Sequence, residues 1–122
     1  MKLLYVASPI AAFYNNPSIK DPQTQCQDYA RNLCSVVKKA GFIPVNAALN
    51  FVGVYSEENE REVAMECAFE LLKRCDAIAY TDIDFMLSSG IKKEVELAKK
   101  LGIDVYIIDW KSQSINKDGG VL

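Results

Sequence analysis

Glu94 sits where an apolar side chain belongs. Ile91, Val95 and Ala98, with Leu97 and Leu101 beside them, mark the inward face of a helix predicted over Gly90 to Leu101, and Glu94 falls on that face. Burying a carboxylate without partners is costly, so Glu94 is expected to point at a ligand crevice and not into the core. Its position is not that of a capping-box acid, which needs Ser or Thr three residues earlier where this chain has Ile91. Ser88, Ser89 and Gly90 open the same helix. Hydroxyls and free amides at a helix start either cap the helix or bind an anion such as phosphate or carboxylate. Lys92 and Lys93 follow and read as a solvated face. Tyr5 and Ser8, in and just after the first apolar run, can reach the same crevice. Asp82 and Asp84 come after another apolar run and are candidates for sugar hydroxyls or a base edge.

The chemistry open to these groups is narrowed by what the chain lacks. Its 122 residues include no histidine. Ser-His-Asp and Cys-His nucleophiles, imidazole acid–base work and His-bearing metal sites are therefore excluded. The four cysteines, Cys26, Cys34, Cys67 and Cys75, form no CxxC, so no metal site is expected. Each pair is eight residues apart within a helical segment, about 12 Å along the axis and too far for a disulfide. Reduced buried thiols and a cytoplasmic location are the expectation. Neither cofactor nor nucleic acid is implied, since 14 basic residues are interspersed with 16 acidic ones. No apolar run approaches the roughly 18–20 residues of a membrane span, and Met1 to Ala7 reads as a strand, too short for a signal peptide.

The elements that position these groups alternate. Residues 2–8 form a buried strand ended by Pro9. Residues 9–21 carry turn chemistry, and Asp21-Pro22 starts a helix that runs to Ala40, stopped by Gly41. Residues 42–45 are a second strand. Residues 46–55 are a loop with exposed aromatics Phe51 and Tyr55, followed by a helix from Glu57 to Cys75. Residues 77–80 are a third strand, 81–89 a loop, 90–101 a helix and 104–108 a fourth strand. This alternation implies a single α/β domain over residues 1–110, a small doubly wound parallel sheet of four to five strands with helices on both faces, Rossmann-like or flavodoxin-like. Residues 111–122 read as a polar tail. Ligands of such folds bind beyond the carboxyl ends of the strands, where the loops 8–21, 46–55 and 81–90 are expected to meet.

Tyr5-Val6-Ala7-Ser8-Pro9, Gly41-Phe42-Ile43-Pro44, Cys75-Asp76-Ala77 and Ser88-Ser89-Gly90-Ile91-Lys92-Lys93-Glu94 stand in an order and spacing that resembles the nucleoside 2-deoxyribosyltransferase-like superfamily, and its small, often phage-borne members most closely. The resemblance covers residues 2 to about 108. It implies cleavage or transfer at the N-glycosidic bond of a (deoxy)nucleoside or nucleoside 5′-monophosphate. Glu94 would attack the anomeric carbon, Tyr5 would position it, Ser88 would bind a 5′-phosphate, in line with the helix-start reading of Ser88, Ser89 and Gly90, and Asn46 would contact the base. It also implies a homodimer or higher homo-oligomer. The chain departs from the pattern in three places. Ser8 replaces a common Gly, Asn116 alone represents a C-terminal contact element, and Glu66 or Glu70 stands near an expected helical Asp. Two alternatives remain open: capture of a nucleotide-derived ligand without turnover, and an assembly role with a vestigial pocket.

Overall fold

The computed structural model describes residues 1–118. Five strands make one sheet in the order β2-β1-β3-β4-β5, with β1 at Leu3–Val6, β2 at Ile43–Val45, β3 at Ala77–Tyr80, β4 at Asp104–Asp109 and β5 at Ser114–Lys117. The first four strands are parallel, and β5 lies antiparallel on the outer edge of β4. Disregarding hand of pairing at that edge, the order is the flavodoxin-like one.

The two faces of the sheet are filled from opposite sides because side chains alternate along each strand. Leu4, Val6, Ala77 and Ala79 pack under α2 (Pro22–Lys39), through Leu33, Val36 and Val37. Tyr5, Ile78 and Tyr80 face α4 (Arg61–Lys73) and α6 (Ser89–Leu101), through Ala68, Leu72, Ile91, Val95 and Ala98. The chain leaves β1 toward one face and β3 toward the other, so the loops after these neighbouring strands diverge and leave a crevice between them.

Local chemistry fixes the ends. The Asp21 carboxylate accepts the Thr24 amide at 3.1 Å, with Pro22 at the first helical position. Gly41 takes a φ of 93° after α2, and Gly102 takes 73° at the end of α6, conformations a residue with a Cβ adopts only at a cost.

Several expected loops contain short helices: α1 (Ala11–Tyr14), α3 (Ala47–Phe51) and α5 (Asp82–Leu87). In α5 the Thr81 hydroxyl accepts the Asp84 amide at 3.1 Å, a cap that stabilises a turn too short to show a periodic stripe. The helix expected from Glu57 begins at Arg61. Residues 56–60 form a separate turn, closed by the Glu60 amide on the Ser56 carbonyl and by the Glu60 carboxylate on the Ser56 amide. The expected polar tail starts with a turn and then supplies β5. Ser-Ile-Asn-Lys holds one apolar residue, Ile115, which packs against the α2-side core, and backbone pairing with β4 does the rest. Residues 119–122 of that tail lie outside the described residues. No helix among the described residues is long and apolar enough to cross a membrane.

Candidate active site

Glu94 lies in the second turn of α6, between Ile91 and Val95, and only 6% of it is exposed. The phenol of Tyr5, itself buried in β1, donates a hydrogen bond to Glu94 Oε2. Burial pushes the Glu94 carboxyl up to about 7, and the Tyr5 hydrogen bond pulls in the opposite direction. Burial and the neighbouring Glu94 charge raise the Tyr5 phenol well above its ordinary value, so Tyr5 stays a donor at any physiological pH.

This pair opens on a cavity of about 270 Å³ lined by Tyr5 of β1 and by segments that follow β1, β2 and β3, close to the lower end of the roughly 300–1,000 Å³ usual for small-molecule sites. The space exists because small residues face it. Ala11 and Ala12 come from α1, Ala47 from α3, Ala64 and Ala68 from α4, and Gly90 from α6. A Cβ on Gly90 would stand 3.2 Å from Met65 Cε, so α4 and α6 approach closely at the cavity wall because residue 90 has no side chain.

Ser88 caps α6, its hydroxyl accepting the Ile91 amide at 3.2 Å. The first amides of a helix have no intrahelical partner, and here Ser88, Ser89 and Gly90 all line the cavity. The positive end of the α6 dipole therefore faces the same space as Glu94. Ser8, just past β1, also lines it. Asn46 Nδ2 donates to the Ser8 hydroxyl at 2.9 Å, which leaves the Ser8 proton free to be donated into the cavity.

Six of the eight expected site residues thus meet: Tyr5, Ser8, Ser88, Ser89, Gly90 and Glu94. The other two are used elsewhere. Asn46 does not line the cavity. Its amide bonds the Val6 carbonyl at 2.8 Å as well as Ser8, and its oxygen caps α3 through the Leu49 amide at 2.9 Å, so it acts on the site through Ser8. Asp84 is buried in α5 and accepts the Tyr29 hydroxyl at 2.8 Å, on the α2 side of the sheet. Its carboxylate is occupied there, while its backbone carbonyl takes the Ser88 amide at 2.9 Å and so fixes the approach to α6. Asp82 is exposed at the start of α5.

Phe51 and Tyr55, expected to be exposed, are half-buried and form a cavity wall, their rings 5.8 Å apart in an edge-on arrangement. The short helix α3 turns Phe51 inward. Tyr14, Glu57 and Arg61 also line the cavity and were not singled out from sequence. For Arg61 the signal lay in spacing: Arg61, Ala64, Met65 and Ala68 share one face of α4 and all line the cavity. Arg61 is the only Lys or Arg among the described lining residues. Lys92 and Lys93 are exposed and face away. Among the described residues no group of three or more His, Cys, Asp or Glu stands together as a metal site.

No curated protein matches the chain. Residues 2–108, which contain β1 through most of β4 and every described residue lining the cavity, match the family described as a domain of unknown function (DUF7768), and the chain belongs to that family.

Proposed function

We propose that the protein cleaves, or transfers at, the N-glycosidic bond of a (deoxy)nucleoside or nucleoside 5′-monophosphate, with Glu94 as nucleophile. One observation carries this reading: a buried carboxylate, held by a tyrosine, faces a ligand-sized cavity beside the amide end of a helix. Rupture of an N-glycosidic bond builds positive charge on the sugar. A carboxylate with little competing solvent stabilises that charge and can trap it, and no histidine is needed. The resemblance to the nucleoside 2-deoxyribosyltransferase-like superfamily points the same way.

The roles follow from position. The amides of Ser89 and Gly90 with the Ser88 hydroxyl take the 5′-phosphate. Ser8 donates to a sugar oxygen. Tyr5 holds Glu94 Oε2 and leaves Oε1 to attack the anomeric carbon. The carbon–nitrogen bond breaks with its electron pair going to the base, which takes a proton from water. A water molecule then attacks the anomeric carbon, the bond from that carbon to Glu94 Oε1 breaks with its electron pair returning to the carboxylate, and one proton of the water leaves to solvent. In transfer, the nitrogen of a second base replaces that water and its N–H proton leaves to solvent. Attack needs the ionised carboxyl, so kcat/KM is expected to rise with pH through about 7 and then level off.

The test is incubation with deoxynucleosides and their 5′-monophosphates, with chromatographic detection of free base. Release that disappears in Glu94→Ala supports the reading. Release that persists in that variant removes Glu94 from the mechanism, and tight binding without release favours capture alone. Two further parts of the proposal concern setting. Four free thiols, three of them pushed up to about 11 by burial, suit a reducing cytoplasm. Exposed Ile83, Met86 and Leu87 on α5 supply an apolar contact for a homodimer or larger homo-oligomer, which sedimentation equilibrium would detect.

A further inference from the structure

The Glu57–Arg61 ion pair is looser than the other pairs made three or four residues apart along the chain. Glu70 meets Lys73 at 2.8 Å and Arg74 at 3.2 Å, and Asp28 meets Arg31 at 2.7 Å, each with a hydrogen bond. Glu57 Oε1 stays 3.7 Å from Arg61 Nε, and neither side chain makes a hydrogen bond among the described residues. The Glu57 side chain is only 24% exposed, and burial raises its carboxyl above the ordinary value while Arg61 lowers it. A half-hidden acceptor and a donor fork therefore face the cavity with their bonding capacity unused.

Their place in the cavity suits the base of a nucleotide. Arg61 precedes Met65 by one helical turn, about 6 Å along the axis, and Met65 Cε lies 3.2 Å from where a Cβ on Gly90 would stand. The pair thus lies one turn removed from the α6 amides, beside the aromatic wall of Phe51 and Tyr55. That wall can stack any base, because every base has a π face. Choice between bases has to come from the polar pair.

We infer that Glu57 and Arg61 read the base edge of the ligand and select guanine. This rests on the nucleotide reading above and deepens it. An ionised carboxylate only accepts, and a guanidinium only donates. Guanine presents two adjacent N–H donors, at N1 and N2, followed by the O6 acceptor. The two oxygens of Glu57 take the donors and Arg61 takes O6. Thymine and uracil have one N–H between two carbonyls, which sets a carbonyl oxygen against a carboxylate oxygen. Adenine and cytosine have one amino donor beside a ring nitrogen lone pair, with the same conflict. Hypoxanthine keeps N1–H and O6 and loses the N2 donor.

The test is calorimetric binding of dGMP, dIMP, dAMP, dCMP and dTMP to Glu94→Gln, which does not turn them over under the proposed mechanism. The expected result is dGMP tightest, by about ten- to hundredfold over dAMP, dCMP and dTMP, with dIMP between. Adding Glu57→Gln should reduce the spread to within about threefold, since an amide replaces one acceptor by a donor. Equal affinities, another base preferred, an unchanged preference in the double variant, or no binding of any of the five would each overturn the inference. Selective dGMP binding by a wild-type protein that releases no guanine would leave base recognition standing and remove the cleavage reading. Release of every base at similar rates would do the reverse.

Discussion

Tyr5 with Glu94 and Tyr29 with Asp84 are built alike. Each is a phenol donating to a carboxylate, and the two carboxylates are 6% and 7% exposed. They stand on opposite sides of the sheet, one among the core residues under α4 and α6, the other against the α2 side. The difference lies in what surrounds them. Beside Glu94 the neighbours are alanines and a glycine, and a cavity remains. On the other side, α1 closes over Tyr29, with the Phe13 ring 5.8 Å away, and α5 is capped on Thr81. Burial of a carboxylate thus does not mark a reactive group. Glu94 is set apart by the unfilled space beside it.

The comparison breaks most sharply at the acids. Glu94→Ala should lower base release by roughly a thousandfold or more, since the proposed nucleophile is gone. Asp84→Ala should leave the rate within about fivefold and cost about 1–3 kcal/mol of stability, because the Tyr29 hydroxyl loses its acceptor and α5 its anchor. Turnover assays and urea denaturation on the same preparations measure both. Equal losses of activity would mean that the two pairs do not differ in kind.

The pH dependence of stability separates Glu94 in another way. Its carboxyl has an ordinary value of 4.5 and titrates at about 7 in the folded chain. Between those values the folded state keeps a proton that the unfolded chain has lost, so stability falls as pH rises through that window and the loss is complete above about 7. The size is about 3 kcal/mol at most, from roughly 1.4 kcal/mol per pH unit. Glu94→Gln should abolish that slope and be the more stable protein at pH 8. Denaturation midpoints at pH 5, 6, 7 and 8 decide it, and a wild-type slope that survives in the variant would assign the buried charge elsewhere.

The tyrosines sharpen the contrast further. Tyr5→Phe removes the bond that favours the ionised form of Glu94, so the midpoint of the pH–rate profile should move above about 7, and the rate at pH 7 should fall by about ten- to hundredfold, the worth of one hydrogen bond to a charge. Tyr29→Phe should cost about 1 kcal/mol of stability and leave the midpoint of the profile where it was. A shift in both, or in neither, would show that the Tyr5 bond does not tune the nucleophile.

Much of this was legible in the sequence because it follows from period and punctuation. The strand–helix alternation, the Asp21-Pro22 start, the Gly41 and Gly102 stops and the misfit of Glu94 in an apolar stripe all belong to single elements. What the sequence hid depends on tertiary neighbours. Asp84 and Glu94 both looked like candidates, and only the packing of α1 and α5 shows that one is enclosed. Asn46 looked like a ligand contact, but its three bonds join β1, Ser8 and α3. Phe51 turns inward because α3 forms, a helix of five residues with too few turns to show a stripe. β5 was unreadable because its pairing with β4 is backbone bonding, which any sequence lacking proline can supply.

The smallest expected effect concerns the cavity wall where α4 and α6 meet. Gly90 occupies the first turn of α6 without a positive φ, so alanine fits the backbone and gains up to about 1 kcal/mol of helix propensity. The new methyl would meet Met65 Cε at 3.2 Å, tighter than ordinary contact, and the flexible Met65 side chain can yield by a few tenths of an ångström. These two terms nearly offset, so the thermal midpoint should move by no more than a few degrees. The cavity feels the change more, because both the methyl and the displaced thioether lie on its lining. Dissociation constants for nucleoside monophosphates should rise about two- to fivefold in Gly90→Ala with little change in kcat, since the methyl crowds ligand and transition state alike. An unchanged affinity would place the phosphate away from the α6 amides, whereas a loss of kcat at constant KM would mean that Gly90 governs the approach of Glu94 to the sugar.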